Sequence, residues 1–238
     1  MIQPIIALAG ASGDLGERIS KALVKRGASV RALVRPGIPN RDQAHISELG
    51  ATVVAADPTD PVSLAAALKG ASCVVSALNG LHDVIVGRQR VLLDAAVKAG
   101  VPRFIPSDYS ADFTKTHPGD NRISTYAANL WRWPMARRSR SHQSSTARSW
   151  ICSAGDADHP ARHSPRALLA RRGSAARINT KDDVAAYVAA AAMDETTPRI
   201  LRIAGDSVSA RGIAAAMTEV TGERYRTLWG VAFARWKS

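Results

Sequence analysis

The residues with the plainest chemistry are three glycines. Gly10, Gly13 and Gly16 occur as Gly10-Ala-Ser-Gly13-Asp-Leu-Gly16, between an apolar run at 4–9 and a helical pattern at 14–26. A glycine triplet at a strand-to-helix junction suits a dinucleotide. The first glycine permits a tight turn. The second lets the backbone approach a pyrophosphate, and the third lets helix and strand pack closely. The helix then offers unpaired N–H groups and the positive end of its dipole to the phosphates. Ser12 adds a hydroxyl donor, and Asp14 and Leu15 complete the loop. A bare glycine turn has the same composition, but the junction favours a bound ligand.

Further positions extend this site. An acid at the end of the second strand would accept hydrogen bonds from an adenosine ribose. The chain has Arg35 there instead, with Arg31 and Arg41 nearby. A guanidinium suits a 2′-phosphate, so NADP is expected in preference to NAD. Arg35 as a solvated strand-end arginine is the alternative. Asp57, after the third strand, either accepts from the adenine amino group or serves as an acid near a helix start. Leu78 and Asn79 end the fourth strand, where a cofactor crosses the sheet edge. Ser107-Asp108-Tyr109 follow the fifth strand and either face a substrate or close a turn. Asp182 and Asp183 open a helix and read as acids favoured by its dipole.

Apolar periodicity supplies the elements that must hold these residues. Strands are expected at 4–9, 29–34, 52–56, 72–77 and 103–106, and helices at 14–26, 61–69 and 83–99. Gly27 and Gly100 close two of those helices, and Pro61 takes a tolerated first-turn position in the third. This alternation demands parallel strands with right-handed crossovers. The expected fold is α/β, a doubly wound parallel sheet with a small, incomplete C-terminal substrate region. The rhythm stops near Arg122 and resumes at Ile178, with a helix at 182–193, a strand at 200–203 and a helix from about Ser209 to Val220. Three regions follow: a nucleotide domain over 1–122, an aberrant segment over 123–177 and a helix–strand–helix continuation over 178–238.

Composition bounds the rest. A chain of 238 residues suffices for one α/β domain with a small appendage. No apolar run is long enough to span a bilayer, so no membrane partner is expected. The N-terminus lacks a basic region before its apolar run and reads as a first strand rather than a signal peptide. Two cysteines, Cys73 and Cys152, argue against a disulfide scaffold and suit a reducing cytoplasm. His142, His159 and His163 show no ligand spacing, and no metal is expected.

The segments GASGDLG, ALVRPG and RFIPSDYSADFTKTHPGDNR (103–122) together resemble the NmrA-like family, as does INTKDDVAAYVAAAAMDETTPRILRIAGD (178–206). These are atypical relatives of the short-chain dehydrogenase/reductases, akin to isoflavone reductase-like and quinone oxidoreductase-like proteins. The resemblance covers residues 1–122 and about 178–226. It implies an NAD(P)-binding sheet with a smaller substrate region. It implies one of two activities. One is an NADPH-dependent reductase that transfers hydride to a small carbonyl or quinone. The other is a non-catalytic NADP(H) sensor that engages a regulatory protein partner. The chain departs from its relatives in one respect. No tyrosine has the lysine four residues on that short-chain dehydrogenases use; Tyr109 reaches only Phe113. Isoflavone reductase-like enzymes use a lysine on the helix after the fifth strand, and residues 123–177 contain none. The catalytic residues therefore stay unassigned.

The same segment dominates the charge. It holds ten arginines against two acids, which supplies +8 of the net +12. Such charge invites a nucleic-acid partner. The genetic code offers another account. The first two bases of a codon are largely set by its amino acid; slipped by one base, they become the second and third bases of a different codon. So slipped, Ile123–Leu130 (ISTYAANL) permits NLDLRREF, and 142–153 (HQSSTARSWICS) permits TSILNGAFMDLL. The opposite slip over 158–172 (DHPARHSPRALLARR) permits IILLAIRRVLYWRG. All three resemble the family's own continuation. The segment is thus read as out of frame, without the apolar periodicity to pack, and no nucleic acid is expected. A genuine basic insertion that binds nucleic acid or an acidic partner is the alternative. Resequencing codons 118–180 is expected to find a single-base slip at each end. An intact frame would restore the basic insertion.

Overall fold

The computed structural model describes residues 3–109, 167–170, 175–198, 201 and 203–229. Its first half alternates strand and helix. The order is β1 (Ile5–Ala9), α1 (Asp14–Lys25), β2 (Ser29–Val34), α2 (Asn40–Glu48), β3 (Thr52–Ala55), α3 (Pro61–Leu68) and β4 (Cys73–Ser76). A π-helical turn (Asp83–Arg88) then runs into α4 (Gln89–Lys98), followed by β5 (Phe104–Ile105). The five strands form one parallel sheet in the order β3-β2-β1-β4-β5. The chain steps outward from β1 to β3, then returns to the other side of β1 for β4. That reversal places a crevice beyond the strand ends between β1 and β4.

Near-continuous apolar strands mean a sheet covered on both faces. Alternate side chains divide between them. Ile6, Leu8, Val30, Ala32, Cys73, Val75 and Ile105 pack with Ile19 and Leu23 of α1. Ala7, Ala9, Leu33, Val74 and Phe104 pack instead with Leu64 and Leu68 of α3 and Leu92 and Leu93 of α4. Asp60 caps α3: its carboxylate accepts from Val62 N at 2.8 Å and Ser63 N at 3.2 Å, with Pro61 next.

Two features differ from the periodicity reading. Residues 40–48 form α2, which has no apolar stripe to mark it because only Ile46 is buried. The helix expected at 83–99 begins as a π turn before becoming α-helical at Gln89.

The later elements are β6 (Ala167–Ala170), β7 (Ala175–Ile178), α5 (Lys181–Met193), β8 (Asp206–Ser209), α6 (Ala210–Thr221) and β9 (Arg226–Trp229). The chain forms two compact units. The first holds the five-stranded sheet, α1 to α4, and α5 as far as Ile203. Val184, Val188 and four alanines of α5 (Ala185, Ala189, Ala191 and Ala192) are buried in the α1 face. Small side chains let this helix lie close to α1. Arg103, only 6% exposed, ties its far end: Nη1 donates to Ala192 O at 2.9 Å, and Nη2 donates to Ala191 O. At the near end Arg18 bridges Asp14 and Asp182 at 2.7 and 2.6 Å, and Lys181 Nζ lies 2.9 Å from Asp14.

The second unit pairs β6 with β9 in parallel and β7 with β8 antiparallel. Its helix α6 starts at Ser209, whose Oγ accepts from Gly212 N at 3.1 Å, and ends at left-handed Gly222. The strand expected at 200–203 falls partly outside the described residues. So does most of 123–177, with the three histidines and Cys152; the described parts of that segment belong to β6 and β7. Among the described residues, no helix is long and apolar enough to cross a membrane.

Candidate functional site

The three loop glycines have different reasons to be glycine. Gly10 leaves β1 with a left-handed φ of +83°, and a Cβ there would lie 2.6 Å from Ala77 O. At Gly16 a Cβ would lie 2.0 Å from Gly10 O and 2.9 Å from Ala11 Cα. Both are excluded by the chain's own backbone. Gly13 is not. It caps α1 with φ −90° and ψ 158°, and its added Cβ would meet only Gly10 O, at an ordinary 3.5 Å. The fold gives no steric reason for glycine at 13. Gly13 N donates to Gly10 O at 3.1 Å, and Glu17 N donates to Gly13 O at 2.8 Å. The first-turn N–H groups of Asp14, Leu15 and Gly16 have no intrahelical acceptor.

Beside this loop opens a cavity of about 470 Å³, within the range of small-molecule sites. Gly10, Ser12, Arg35 and Leu78 line it together. Its base is apolar, built from Leu33, Ala56, Leu64 and Leu92. Gly13, Leu15 and Gly16 shape the adjoining loop and turn and are not among its walls. Neither is Asn79.

The two aspartates are committed elsewhere. Asp14 receives Arg18 and Lys181, and hydrogen bonds from Arg18 first and Lys181 second hold its carboxyl below the usual carboxylate range. Asp57 Oδ1 accepts from Thr59 N at 2.8 Å and Thr59 Oγ1 at 2.7 Å, closing a turn. The Thr59 hydroxyl, then its N–H, lower the Asp57 carboxyl in the same way. Its neighbours Ala56 and Pro58 line the cavity, and Asp57 does not.

Ser107 and Tyr109 act as braces. Ser107 Oγ donates to Leu78 O at 2.6 Å, and Ser107 N donates to Gln89 Oε1 at 2.7 Å. Tyr109 donates its hydroxyl to Ser76 O at 2.7 Å, and burial pushes its phenol above the usual range. These bonds hold the end of β4, and Leu78 with it, against the segment after β5. Both hydroxyls bond across to the neighbouring strand end rather than within a turn; a local bond of this trio runs from Asp108 N to Pro106 O at 2.9 Å.

Sequence reasoning missed two charged walls of the cavity, Asp42 and Arg88. Asp42 belongs to the unforeseen α2. Arg88 precedes Leu92 by four residues, a spacing that could have found it. No cluster of metal-ligating side chains occurs among the described residues.

The NmrA-like family model matches residues 3–130, more than half of the 238-residue chain. The chain belongs to the NmrA-like family. Two relatives align with a little under half of it. An isoflavone reductase homolog from Zea mays is 35% identical over 118 residues, 47% of this chain and 37% of that protein. Pinoresinol reductase 1 from Arabidopsis thaliana is 35% identical over 117 residues, 45% of this chain and 36% of that protein. The matched part is thus well under two thirds of either relative. Among solved structures, AtPrR2 with NADP+ and (+)pinoresinol superposes with a TM-score of 0.79 at 20% identity, over 96% of this chain and 79% of that one. The NADPH-dependent quinone oxidoreductase QOR2 with NADPH from Escherichia coli gives 0.72 at 19% identity, over 95% and 78%. At such identities the likeness is one of fold, and the fold of this NmrA-like chain is the doubly wound sheet expected from its alternation.

Proposed function

We propose that this chain binds NADP(H) and belongs to a reductase acting on a small carbonyl or quinone. The observation that carries this is the bare backbone at Gly13 beside a cavity holding Arg35. A pyrophosphate fits the free N–H groups of the α1 first turn, and a 2′-phosphate fits the Arg35 guanidinium. The apolar base of the cavity fits an adenine ring. When bound, the nicotinamide supplies hydride to the acceptor. The chain's own residues bind and orient: the loop holds the phosphates, and Ser107 and Tyr109 steady the edge that the dinucleotide crosses. The relatives named above are reductases and an oxidoreductase, which favours turnover over sensing. The buried free thiol of Cys73 suits a reducing compartment such as the cytoplasm. The lysine-free stretch over 123–177 is inferred to be out of frame, so the chain as it stands binds and a frame-restored version turns over.

Calorimetric titration is expected to show NADP+ binding more tightly than NAD+. Arg35→Asp should reverse that preference by about 10- to 100-fold, since a charged phosphate contact contributes about 1.5–3 kcal/mol. An unchanged ratio would remove Arg35 as the phosphate reader. The frame-restored protein is expected to oxidise NADPH against at least one member of a quinone and enone panel. Silence across the panel, with NADPH bound, would refute the reductase.

A further inference from the structure

The cavity contains a second arginine to which the reading above gives no task. Arg88 is the last residue of the π-helical turn, and π turns are rare and concentrate at functional positions. It stands four residues before Leu92, so the two share a helix face. Both line the cavity, with Leu92 buried at its base and Arg88 exposed. The Arg88 guanidinium forms no ion pair with another described residue. Arg35 follows β2, whereas Arg88 comes from the π turn that follows β4. Two sheet positions, about 10 Å, separate those strands. Two cations rooted that far apart are suited to different parts of one nucleotide. Besides Arg88, the cavity is lined by the apolar side chains of Leu33, Leu64, Leu78 and Leu92. A phosphate gains nothing from such a surface, while a flat aromatic base does.

We propose that Arg88 closes the base-binding part of the cavity, its planar guanidinium stacking on an adenine whose other face rests on the leucines. Arginine suits this task because it is planar and weakly hydrated, and it attracts the ring's π face. The inference rests on the dinucleotide reading and adds the residue that would recognise the base. It separates two duties: Arg35 discriminates NADP from NAD, and Arg88 serves both alike.

The test is calorimetric titration of the native chain, Arg88→Ala and Arg88→Lys with NADP+, NAD+ and 5′-AMP. Arg88→Ala should weaken all three by a similar factor, about 5- to 10-fold, leaving the NADP+/NAD+ ratio unchanged. Arg88→Lys should restore little, because an ammonium has no plane to stack. Loss confined to NADP+ would make Arg88 a second phosphate reader and overturn the proposal. So would full rescue by lysine, or unchanged affinity for all three. Those outcomes leave the dinucleotide reading standing. If the native chain binds none of the three probes, that reading fails, and this proposal with it.

Discussion

Gly13→Val is expected to lower NADP+ affinity at least about 100-fold while the protein stays folded. Valine is at home at φ −90° and ψ 158°, an extended conformation, and its Cβ meets nothing closer than 3.5 Å. Replacing glycine by valine at the N-cap costs about 1 kcal/mol, too little to unfold the domain. The isopropyl group, however, occupies the approach to the loop backbone, and the N–H contacts to a pyrophosphate are lost together. Gly16→Ala is the control with the opposite outcome. Its methyl carbon would sit 2.0 Å from Gly10 O and 2.9 Å from Ala11 Cα. Both are backbone atoms, so no side chain can swing aside. Helix α1 must move off β1, at a cost of about 3 kcal/mol, which lowers Tm by about 10 °C. Thermal melts by circular dichroism and titration with NADP+ separate the two variants. Unchanged affinity in the valine variant would refute the phosphate role of the loop. An unchanged Tm in the alanine variant would refute the close packing.

Arg103→Met should destabilise the first unit by about 3 kcal/mol. The side chain is buried, and it donates to the last carbonyls of α5, Ala191 and Ala192. Hydrogen bonds from a charged donor contribute about 1.5–3 kcal/mol, and a cation at a helix C-terminus also meets the negative end of its dipole. Methionine fills the volume but donates nothing. Replacing both partners of a buried polar pair by apolar groups can be harmless. Here the acceptors are backbone and stay buried, so the loss is not offset. Hydrogen exchange gives the specific reading: amides of α5 should lose protection before those of the sheet. A methionine variant as stable as the native chain would show that α5 is held by its alanine packing alone.

Much of this was legible in the sequence because it is written at short range. Short continuous apolar runs alternate with helical stripes that repeat every 3.6 residues, and that local pattern set the element order and the parallel sheet. The glycine loop and Arg35 were legible for the same reason, since their placement at strand ends follows from the alternation. Helix α2 was not, because its one buried side chain, Ile46, makes no pattern. Nor could spacing show that Asp57 is occupied by Thr59, or that the hydroxyls of Ser107 and Tyr109 turn inward.

What the sequence by itself determined was the fold class and the location of a glycine loop between β1 and α1. Which of its glycines the chain's own backbone requires was decided only in three dimensions. Gly10 is constrained by Ala77, which is distant in sequence and brought beside it by the pairing of β1 with β4. Tertiary structure also decided that Arg103 ends α5 and that Arg88 looks into the same cavity as Arg35. The physical reason is common to all three. Periodicity states which way a side chain points from its own element, while the atoms it meets belong to another element, placed by closure of the whole sheet.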